Sequence, residues 1–506
     1  MKKTIIELVE KAISKAPDKI AFVDENRSYT YKELQNKSYS ISSCIIKKGV
    51  INSPVAVYME KNIDCISSFV GVACSRNYYV VLDVDAPEER NRLIIQDICP
   101  SLVICNKSYH EKALRLFQSV DVVLVEDVGE NVECNTEIEQ ICSEMTGSET
   151  LYVMYTSGST GKPKGVITTH QAVVEYAESA TKAYGIRDDD VFGNQYPFSS
   201  VASVEDIYLT IFNMAQMVII PSYYYKFPAK LIACLCKRQV TTINWVPSAM
   251  TLLVMYGGLE KLTESKLRKV IFGGETIPYT TLCAWMRSFP KAEFINGYGS
   301  TEVTAGGTLY YVKSSDDFEK EVPIGQGFPH VKGFIVDENN EIIEGNGEGE
   351  LCISSSSLAE GYWGDNELTE KRFITIDDCH GTKIRAYKTG DIVNTYDGLT
   401  FYYIGRKDYQ VKKNGYRVEL GEIENCANSI IGVIESGCIW DNDEKKISLF
   451  YCGDISEKSL FKRLNETLPQ YMIPDEIVKL KELPKNNNGK IDREELKKKN
   501  EKKYRE

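Results

Sequence analysis

The spacing of apolar residues near the start of the chain predicts an amphipathic first helix. One face of that helix would carry Ile5, Leu8, Val9, Ala12 and Ile13. Farther on, Thr30 and Glu33 have the spacing of a capping box, which places the start of a second helix there. We expect that helix to end near Gly49, because glycine commonly terminates helices.

Short strand-like runs follow, and each has the length of a buried strand. They cover residues 55–59, 78–82, 102–105, 122–125, 151–155, 218–221, 241–246 and 269–272. Helical stretches separate most of these runs. Strands that alternate with helices predict an α/β fold built on parallel, layered sheets.

The pattern changes beyond Gly325, where short strands with glycine-rich turns predict a smaller β-rich subdomain. Residues 409–506 have their own strand and helix signals, and the charged segment 405–408 (GRKD) precedes them. We therefore expect a large N-terminal domain over 1–407, which combines layered α/β subdomains with the β-rich subdomain. A small, mobile α+β C-terminal domain would cover 408–506.

Composition and charge exclude several classes of protein. The chain has 506 residues, 43% of them hydrophobic and 26% charged, which is ordinary for a globular protein. Its net charge of -12 argues against a nucleic-acid partner, whose binding rests on basic residues. Glu7 and Glu10 interrupt the N-terminal apolar residues, and no run has the length of a membrane span. We therefore expect a cytoplasmic monomer without a membrane partner.

Cysteine and histidine offer little chemistry in this chain. The 15 cysteines are scattered, which is typical of reduced cytosolic thiols. The four histidines lie in no motif-like setting, which argues against a Ser-His or Cys-His nucleophile.

The segment with the clearest chemical character is 155–165 (YTSGSTGKPKG), which follows an apolar run. Its glycines let the backbone turn tightly, so that successive amide groups can form an anion site. Hydroxyl and ammonium groups from Thr156, Ser157, Ser159, Thr160, Lys162 and Lys164 add donors suited to a polyphosphate. The segment does not fit a Walker loop. A flexible Gly/Ser linker is the alternative, but two lysines, a proline and a preceding strand disfavour it.

Further motifs follow in a fixed order along the chain. They are 273–275 (GGE), 296–302 (NGYGSTE), 387–391 (YKTGD), 405–408 (GRKD), 411–419 (VKKNGYRVE) and 488–492 (NGKID). In this order the set resembles the superfamily of acyl-CoA synthetases, nonribosomal-peptide adenylation domains and firefly luciferase. The resemblance covers nearly the whole chain, and its closest branch looks like the free-standing D-alanine–carrier-protein ligases.

The resemblance implies an ATP site, with Mg²⁺ as a second cofactor. It places the β- and γ-phosphates on the glycine-rich loop, at Thr156, Ser157, Gly158, Ser159, Thr160, Gly161, Lys162 and Lys164. It places the rest of the nucleotide near two later motifs, at Gly274, Glu275, Asn296, Gly297, Tyr298 and Gly299. Thr301 would contact the α-phosphate, and Glu302 would hold Mg²⁺, which prefers oxygen ligands. Asp391 would accept the ribose hydroxyls beside Arg406. As single residues, most of these would be ordinary turn or surface residues, and their order as a set favours function.

The resemblance also implies two half-reactions. Lys490 would bridge the substrate carboxylate and the α-phosphate during adenylation. Asp408 matches the position of the hinge about which the small domain rotates, and the loop near Gly415 would then line a tunnel for a phosphopantetheine arm. Gly415 could instead serve an ordinary turn.

The acid pocket departs from the family pattern. Val201 stands where α-amino-acid activators have an Asp that pairs with the substrate ammonium. Glu205 and Asp206 are the acids that could replace it, Glu205 at a pocket position and Asp206 at a structural one. The positions that match the pocket are Val201, Ala202, Glu205, Asn244, Ile271, Gly273, Gly297, Ala305 and Gly306. Three glycines and two alanines predict room for an extended or aromatic group, hence an aryl acid or an amino acid whose amine is not on the α-carbon.

The predicted function is therefore ATP-dependent adenylation of a carboxylic acid, with release of pyrophosphate. The acyl group would pass to the phosphopantetheine thiol of a separate carrier protein, because no carrier segment follows Lys490. An acyl- or aryl-CoA ligase is the alternative within the same chemistry. A catalytically silent nucleotide-binding homologue is the alternative of another class, and the intact Glu302 and Asp391 count against it.

Overall fold

A computed structural model describes residues 3–129, 135–158, 162–262, 264–313, 322–377, 381–485 and 491–503. Ser159, Thr160, Gly161 and Lys490 lie outside the described residues. No helix within those ranges is both long enough and apolar enough to cross a bilayer.

The strands, in chain order, are β1 (Ile20–Val23), β2 (Ser28–Thr30), β3 (Pro54–Tyr58), β4 (Tyr78–Val81), β5 (Leu102–Cys105), β6 (Asp121–Leu124), β7 (Thr150–Thr156), β8 (Lys164–Thr169), β9 (Val191–Asn194), β10 (Gln216–Ile219), β11 (Thr242–Trp245), β12 (Lys269–Gly273), β13 (Glu293–Tyr298), β14 (Thr308–Val312), β15 (Gln326–Gly327), β16 (Val331–Val336), β17 (Ile342–Ile343), β18 (Gly347–Ser355), β19 (Gly361–Tyr362), β20 (Phe373–Asp377), β21 (Lys383–Thr395), β22 (Phe401–Arg406), β23 (Gln410–Lys413), β24 (Tyr416–Glu419), β25 (Val433–Asp441), β26 (Lys446–Gly453) and β27 (Glu476–Lys479).

The α-helices are α1 (Ile5–Lys15), α2 (Tyr31–Lys47), α3 (Ile63–Cys74), α4 (Glu88–Ile98), α5 (His110–Leu116), α6 (Asn135–Glu144), α7 (His170–Tyr184), α8 (Val201–Asn213), α9 (Pro228–Lys237), α10 (Pro247–Met255), α11 (Leu259–Leu262), α12 (Tyr279–Ser288), α13 (Asn366–Arg372), α14 (Leu420–Asn428), α15 (Glu457–Thr467) and α16 (Arg493–Lys503). Short 3₁₀ turns cover Lys107–Tyr109, Ser222–Lys226, Thr301–Val303 and Gln470–Met472.

Two large sheets carry the predicted layered α/β architecture. The first has nine strands in the order β15-β14-β13-β12-β11-β9-β10-β1-β2, and its central strands β1, β10, β9, β11, β12 and β13 are parallel. The second has seven strands in the order β19-β8-β7-β4-β3-β5-β6. Parallel strands with apolar side chains on both faces need helices to cover them, and this explains the alternating sequence pattern.

The β-rich region and the C-terminal region follow as predicted. Strands β16, β17, β18, β20, β21 and β22 form an antiparallel sheet after Gly325. The C-terminal region has a hairpin of β23 and β24 and a separate sheet of β25, β26 and β27, with α14, α15 and α16. The predicted fold class, a large domain with a β-rich part and a C-terminal domain, is confirmed.

The local helix signals also hold. The side chain of Thr30 accepts a hydrogen bond from the backbone of Glu33, and the Glu33 side chain accepts one from the backbone of Thr30, so the predicted capping box is confirmed. The apolar stripe of α1 is buried, with Ile5 and Ala12 inaccessible to solvent. This stripe belongs to the main core, in which α1, α2, α3, α7 and α8 pack together.

The chain divides into two compact units. The first comprises Met1–Asp83, Ile98–Met154 and Gly165–Lys407. The second comprises Asp408–Glu506 together with Val84–Asp97 and Tyr155–Lys164. Chain order alone does not predict that these two short segments group with the C-terminal residues.

Candidate active site

Polar residues gather at the carboxyl ends of the parallel strands of the nine-stranded sheet. Asn194 ends β9 and pairs in register with Asn244 of β11. Asn244 in turn pairs with Ile271 of β12, and Gly273 at the end of β12 pairs with Gly297 of β13. Ligand sites in open α/β sheets lie at this edge, so the sheet brings the predicted pocket residues together.

A buried ion pair lies in the β-rich part of the first unit. Arg406 Nη1 donates to Asp391 Oδ1 at 2.6 Å, and each side chain is 7% exposed. The two residues are partners in the register of β21 and β22. Tyr298 donates its hydroxyl to the other carboxylate oxygen of Asp391. Burial raises the pKa of the Tyr298 phenol, and the charge of Asp391 raises it further, so the phenol is a donor.

Three predicted nucleotide residues therefore meet at one place. The pairing of Asp391 with Arg406 fixes the carboxylate, and Tyr298 presents a ring close to it. Asn296, two residues earlier on β13, donates from Nδ2 to the carbonyl oxygen of Pro323 at 2.8 Å. This bond orients the amide so that its oxygen points the other way.

The turn after β13 holds Thr301 and Glu302. Glu302 is fully buried, and its Oε1 accepts a hydrogen bond from the Tyr362 hydroxyl at 2.8 Å. Its carbonyl oxygen accepts one from the backbone of Ala359 at 2.9 Å. Thr304 and Ala305 follow with φ of 52° and 68°, a left-handed conformation that is uncommon without glycine. Strained backbone of this kind is concentrated at functional sites.

A buried carboxylate of this kind fits a hard cation, which takes oxygen ligands. Within the described ranges, no three residues of the types His, Cys, Asp and Glu are grouped as a metal cluster. Mg²⁺ in nucleotide sites is held by one or two carboxylates together with the phosphates, and Glu302 can supply one of them.

Glu275 has a different position from the other predicted nucleotide residues. Its Oε2 accepts a hydrogen bond from the backbone of Ser248 at 3.2 Å, at the start of α10. A carboxylate there satisfies one of the free amides of the first helical turn and complements the helix dipole. Gly274 precedes it with φ of 85°, which turns the chain out of β12.

The described part of the phosphate loop lies in the second unit. Ser157 donates its hydroxyl to the carbonyl oxygen of Arg417 at 2.8 Å, and the Gly158 amide donates to Glu422 Oε2 at 3.1 Å. Arg90 Nη1 donates to the other oxygen of Glu422 at 2.6 Å. Glu422 thus accepts a hydrogen bond from the Gly158 amide, which we expected to bind phosphate.

One hydroxyl of the loop is left for a ligand. Thr156 Oγ1 is buried and has no hydrogen-bond partner among the described residues. Lys162 is exposed and Lys164 is half-buried. A buried unpaired hydroxyl in a loop that also carries two lysines fits an anionic ligand, because unpaired buried polar groups are costly.

Helix α8 supplies the acids of the predicted pocket. Val201 and Ala202 in its first turn are half-buried, whereas Glu205 is 5% exposed and Asp206 is 1% exposed. Asp206 Oδ2 accepts a hydrogen bond from Asn194 Nδ2 at 2.8 Å. The expected structural role of Asp206 agrees with this bond, which ties α8 to the end of β9.

Burial governs the charge state of both acids. It raises the pKa of Glu205 to about 7, against the opposing effect of Tyr176, Tyr184 and Asn244. It also raises the pKa of Asp206 well above the usual value, against Asn194, and the nearby Glu205 raises it further.

The sequence analysis did not identify Lys61 as a pocket residue. Its Nζ donates to Asn194 Oδ1 at 3.1 Å and to the carbonyl oxygen of Gln195 at 2.9 Å. Burial lowers the pKa of this lysine to about 7, and the attraction of Asp206 opposes that shift. Lys61 lies just after β3, so its place at a carboxyl end of a parallel strand is the signal that could have revealed it.

Tyr176 and Tyr184 were also missed, and they change the shape of the pocket. Both are buried on α7, which packs against α8. A Cβ on Gly306 would lie 2.5 Å from Tyr176 Cε2, and one on Gly273 would lie 2.1 Å from the carbonyl oxygen of Gly297. Gly306 therefore makes room for the Tyr176 ring and Gly273 for the backbone of β13, so their small size does not by itself show free space.

Gly297 behaves differently from these two glycines. A Cβ there would lie 3.3 Å from the Tyr184 hydroxyl and 3.8 Å from Ile271 Cγ2. The pocket wall at this point thus has one polar and one apolar neighbour. Ala305 is half-buried in the strained turn.

Comparisons with known proteins show which proteins this chain is similar to. A family model described as AMP-binding enzyme matches residues 9–363. The chain is 32% identical to zwittermicin A synthase ZmaJ of Bacillus cereus, over 98% of this chain and 95% of that protein. It is 30% identical to a D-alanine–D-alanyl carrier protein ligase of Bacillus cereus, over 97% of this chain and 98% of the ligase.

Other curated relatives are much longer. The chain is 30% identical to tyrocidine synthase 1 of Brevibacillus parabrevis, but it spans 45% of that protein. Among solved structures, the adenylation domain AlmE of Vibrio cholerae in complex with glycyl-adenosine-5'-phosphate matches with a TM-score of 0.85. That match covers 99% of this chain and 98% of AlmE at 21% identity, and it supports the fold.

Proposed function

Because this chain belongs to the family of AMP-binding enzymes, we propose that it adenylates a carboxylic acid and transfers the acyl group to a thiol. The observation that carries the proposal is the shared sheet edge. There, the pocket residues on β9, β11 and β12 lie next to the nucleotide residues Asn296 and Tyr298 of β13. An acid and a nucleotide bound at this edge would be neighbours.

In the first half-reaction, a carboxylate oxygen of the substrate attacks the α-phosphorus of ATP. A phosphorus–oxygen bond forms, the bond to the β-phosphate oxygen breaks, and pyrophosphate leaves. Negative charge builds on the phosphoryl oxygens, so positioning and electrostatic stabilisation govern the rate. Thr301 would donate to the α-phosphate, and Lys490 would bridge it to the substrate carboxylate.

The nucleotide base and sugar would be held by the first unit. The Asp391 carboxylate, fixed by Arg406 and Tyr298, would accept the ribose hydroxyls. The Asn296 oxygen would accept from the exocyclic amine of adenine, since its nitrogen donates to Pro323. The described loop residues Thr156, Ser157, Gly158, Lys162 and Lys164 would bind the phosphates.

Mg²⁺ would supply positive charge beside the phosphates, and Glu302 would be its protein ligand. The Tyr362 hydroxyl holds one oxygen of Glu302 in place. This bond fixes the orientation of the carboxylate, as partners of metal ligands commonly do.

In the second half-reaction, a thiolate attacks the acyl carbon, a thioester forms and AMP leaves. The similarity to a D-alanine–D-alanyl carrier protein ligase, over 97% of this chain and 98% of the ligase, supports a phosphopantetheine thiol on a carrier protein as acceptor. Asp408, the first residue of the second unit's longest segment, is the proposed hinge between the half-reactions.

The loop near Gly415 has a backbone reason for its glycine. Asn414 and Gly415 have φ of 53° and 78° and form the two-residue connection between β23 and β24. Positive φ at both positions is the geometry of a type I′ hairpin turn. This turn makes a compact tip, and we propose that the tip lines the path of the phosphopantetheine arm.

The experiment that tests the proposal is ATP–pyrophosphate exchange with Mg²⁺ and a panel of carboxylic acids. Exchange that requires both an acid and Mg²⁺, with AMP as the nucleotide product, is expected. ADP as product, or no exchange with any acid, would overturn the proposal, and the second result would favour a silent nucleotide-binding protein. Thioester formation with a holo-carrier protein and with CoA, compared at equal concentration, separates a carrier-protein ligase from a CoA ligase.

A further inference from the structure

Glu205 is a buried carboxyl group that lacks a cationic partner within the protein. It lies on α8, faces Tyr176 and Tyr184 of α7 and Asn244 of β11, and is 5% exposed. Among the described residues, no Lys, Arg or His forms an ion pair with it, and its Oε1 has no hydrogen-bond partner. A buried carboxyl group in this state is costly unless a ligand pairs with it.

Other unpaired polar atoms surround the same place. Within the described part of the chain, they include the Tyr176 hydroxyl, Asn244 Nδ2 and Asp206 Oδ1. Buried polar atoms in proteins are nearly always paired, and several orphans around one point indicate a polar occupant. An apolar aromatic ring would leave all of them unsatisfied.

The charges around this place favour a cation as occupant. The carboxyl groups of Glu205 and Asp206 repel one another. Lys61 lies on the Asp206 side, where both hydrogen-bond to Asn194, and its attraction acts on Asp206. Tyr196 also faces the two acids, and it adds no positive charge. One lysine therefore faces two carboxyl groups, so one further positive charge would balance the pair.

The position of Glu205 on its helix sets where that charge lies. Val201 and Glu205 are four residues apart, so they lie on the same face of α8. One helical turn of about 5.4 Å separates them along the axis. Val201 is half-buried and Glu205 is buried, so Glu205 lies deeper. A cation that pairs with Glu205 therefore lies up to one helical turn from the place where a carboxylate at Val201 would hold it.

We propose that Glu205 is the counter-ion of an ammonium group on the substrate, and that this amine is separated from the carboxylate by more than the α-carbon. The proposal rests on the proposed adenylation function and names its substrate class, acids with a β-, γ- or more distant amine. Tyr176, Tyr184 and Asn244 would complete the shell around the ammonium and Glu205. The packing of Tyr176 against Gly306 agrees with a slender chain rather than a ring.

The test is ATP–pyrophosphate exchange with matched acids. The amine-bearing set is 3-aminopropanoate, 4-aminobutanoate and 5-aminopentanoate, and the amine-free set is propanoate, butanoate and pentanoate. Glycine, D-alanine, L-alanine and benzoate complete the panel. In the native protein, at least one distal-amine acid should exceed its amine-free match and the α-amino acids by about a hundredfold in kcat/KM, as expected for a buried charge pair.

Two variants at the same position test the role of the charge. Glu205→Gln should lower kcat/KM for the preferred amine acid by about a hundredfold and leave the amine-free match within about threefold. Glu205→Asp keeps the charge on a shorter side chain, so it should retain the preference for an amine and shift it toward longer acids. An unchanged KM for ATP in both variants would verify that the site is intact.

Two further variants serve as a control and as a test for increased activity with α-amino acids. Asp64→Asn removes another buried carboxylate of the first unit, one that is paired with Arg27, and should leave acid preference unchanged. Val201→Asp places a carboxylate one helical turn before Glu205 on α8 and should raise activity with α-amino acids. Efficient exchange of the native protein with α-amino or amine-free acids, or equal loss for both sets in Glu205→Gln, would overturn the inference. Exchange with no acid at all would instead overturn the proposed function.

Discussion

Glu422 accepts a hydrogen bond from the backbone amide of Gly158 at 3.1 Å, while its other oxygen pairs with Arg90 at 2.6 Å. All three residues belong to the second unit, and the Glu422 side chain is 3% exposed. The amide of a glycine-rich loop is a donor suited to phosphate, and here a carboxylate of the same chain takes it. A nucleotide phosphate can use this amide only after Glu422 has left it.

This competition predicts that Glu422→Gln binds ATP more tightly. A neutral amide is a weaker acceptor than a carboxylate, so the loop amide would be released at a lower cost. We expect the KM for ATP in pyrophosphate exchange to fall by up to about tenfold. The control is Glu424→Gln, which also breaks an ion pair in the second unit, with Arg493, but has no hydrogen bond or ion pair with the described residues of the loop. Equal ATP KM values for both variants and the native protein would contradict the competition.

The two half-reactions can be separated at Lys490. Lys490→Ala should abolish acyl-adenylate formation and largely spare thioester formation from supplied acyl-adenylate, because its charge would serve only the first step. The measurements are pyrophosphate exchange and thioester yield on a carrier protein. Lys481→Ala removes an exposed lysine from the same region and should change neither. Equal loss of both half-reactions in Lys490→Ala would show that the residue acts in each.

Local patterns explain how much of this fold the sequence predicts. The capping box of Thr30 and Glu33 involves residues three apart, and strand and helix periods involve neighbours, so both can be read from the chain. The residues of motif 296–302 lie together because β13 and its turn hold them together. The relative positions of residues within such a short motif can therefore be predicted from the sequence.

The acid pocket depends on packing between segments far apart in the chain. Tyr176 comes close to Gly306 only because α7 packs near the turn after β13, and no local pattern encodes that contact. Lys61 follows β3 of the seven-stranded sheet and reaches Asn194 at the end of β9, in the nine-stranded sheet. Small residues in a sequence therefore predict free space poorly, since a neighbour from elsewhere can fill it.

The contact between Gly306 and Tyr176 predicts the effect of a single methyl group. In Gly306→Ala, the new Cβ would lie 2.5 Å from Tyr176 Cε2, so the ring must move. Movement of this ring would displace a hydroxyl that faces Glu205, and we expect kcat/KM for the acid to fall by about tenfold to a hundredfold. The KM for ATP should stay unchanged.

Gly129→Ala is the matched control for Gly306→Ala, because a Cβ at Gly129 would meet no atom within 4 Å. Pyrophosphate exchange at varied acid concentration makes the comparison. Activity of Gly306→Ala equal to that of Gly129→Ala would show that the Tyr176 ring does not position the acid.

The raised pKa of Glu205 has a consequence for stability in the absence of ligand. Burial raises this pKa from 4.5 to about 7, so the folded chain keeps a proton that the unfolded chain releases. The stabilisation from the neutral carboxyl group is complete below the unfolded pKa and is lost as the pH rises through about 7. The titratable groups that face Glu205 are Tyr176, Tyr184, Tyr196 and Asp206, with Lys61 on the far side of Asp206.

Glu205→Gln cannot release a proton, so it should gain stability relative to the native protein as the pH rises from 5 to 8. The gain is on the order of 3 kcal/mol, from the pKa difference at 1.36 kcal/mol per unit. Urea unfolding of both proteins at several pH values, without ligand, measures it, and Asp64→Asn provides the comparison with a buried carboxylate that already has a cation, Arg27. The difference between Glu205→Gln and the native protein should grow as the pH rises from about 4.5 to about 7 and level off above that. Adding the preferred amine acid should move the upper end of this range to lower pH, because an ammonium favours the carboxylate. A difference in stability that stays constant from pH 5 to 8 would mean that Glu205 is already ionised in the empty pocket.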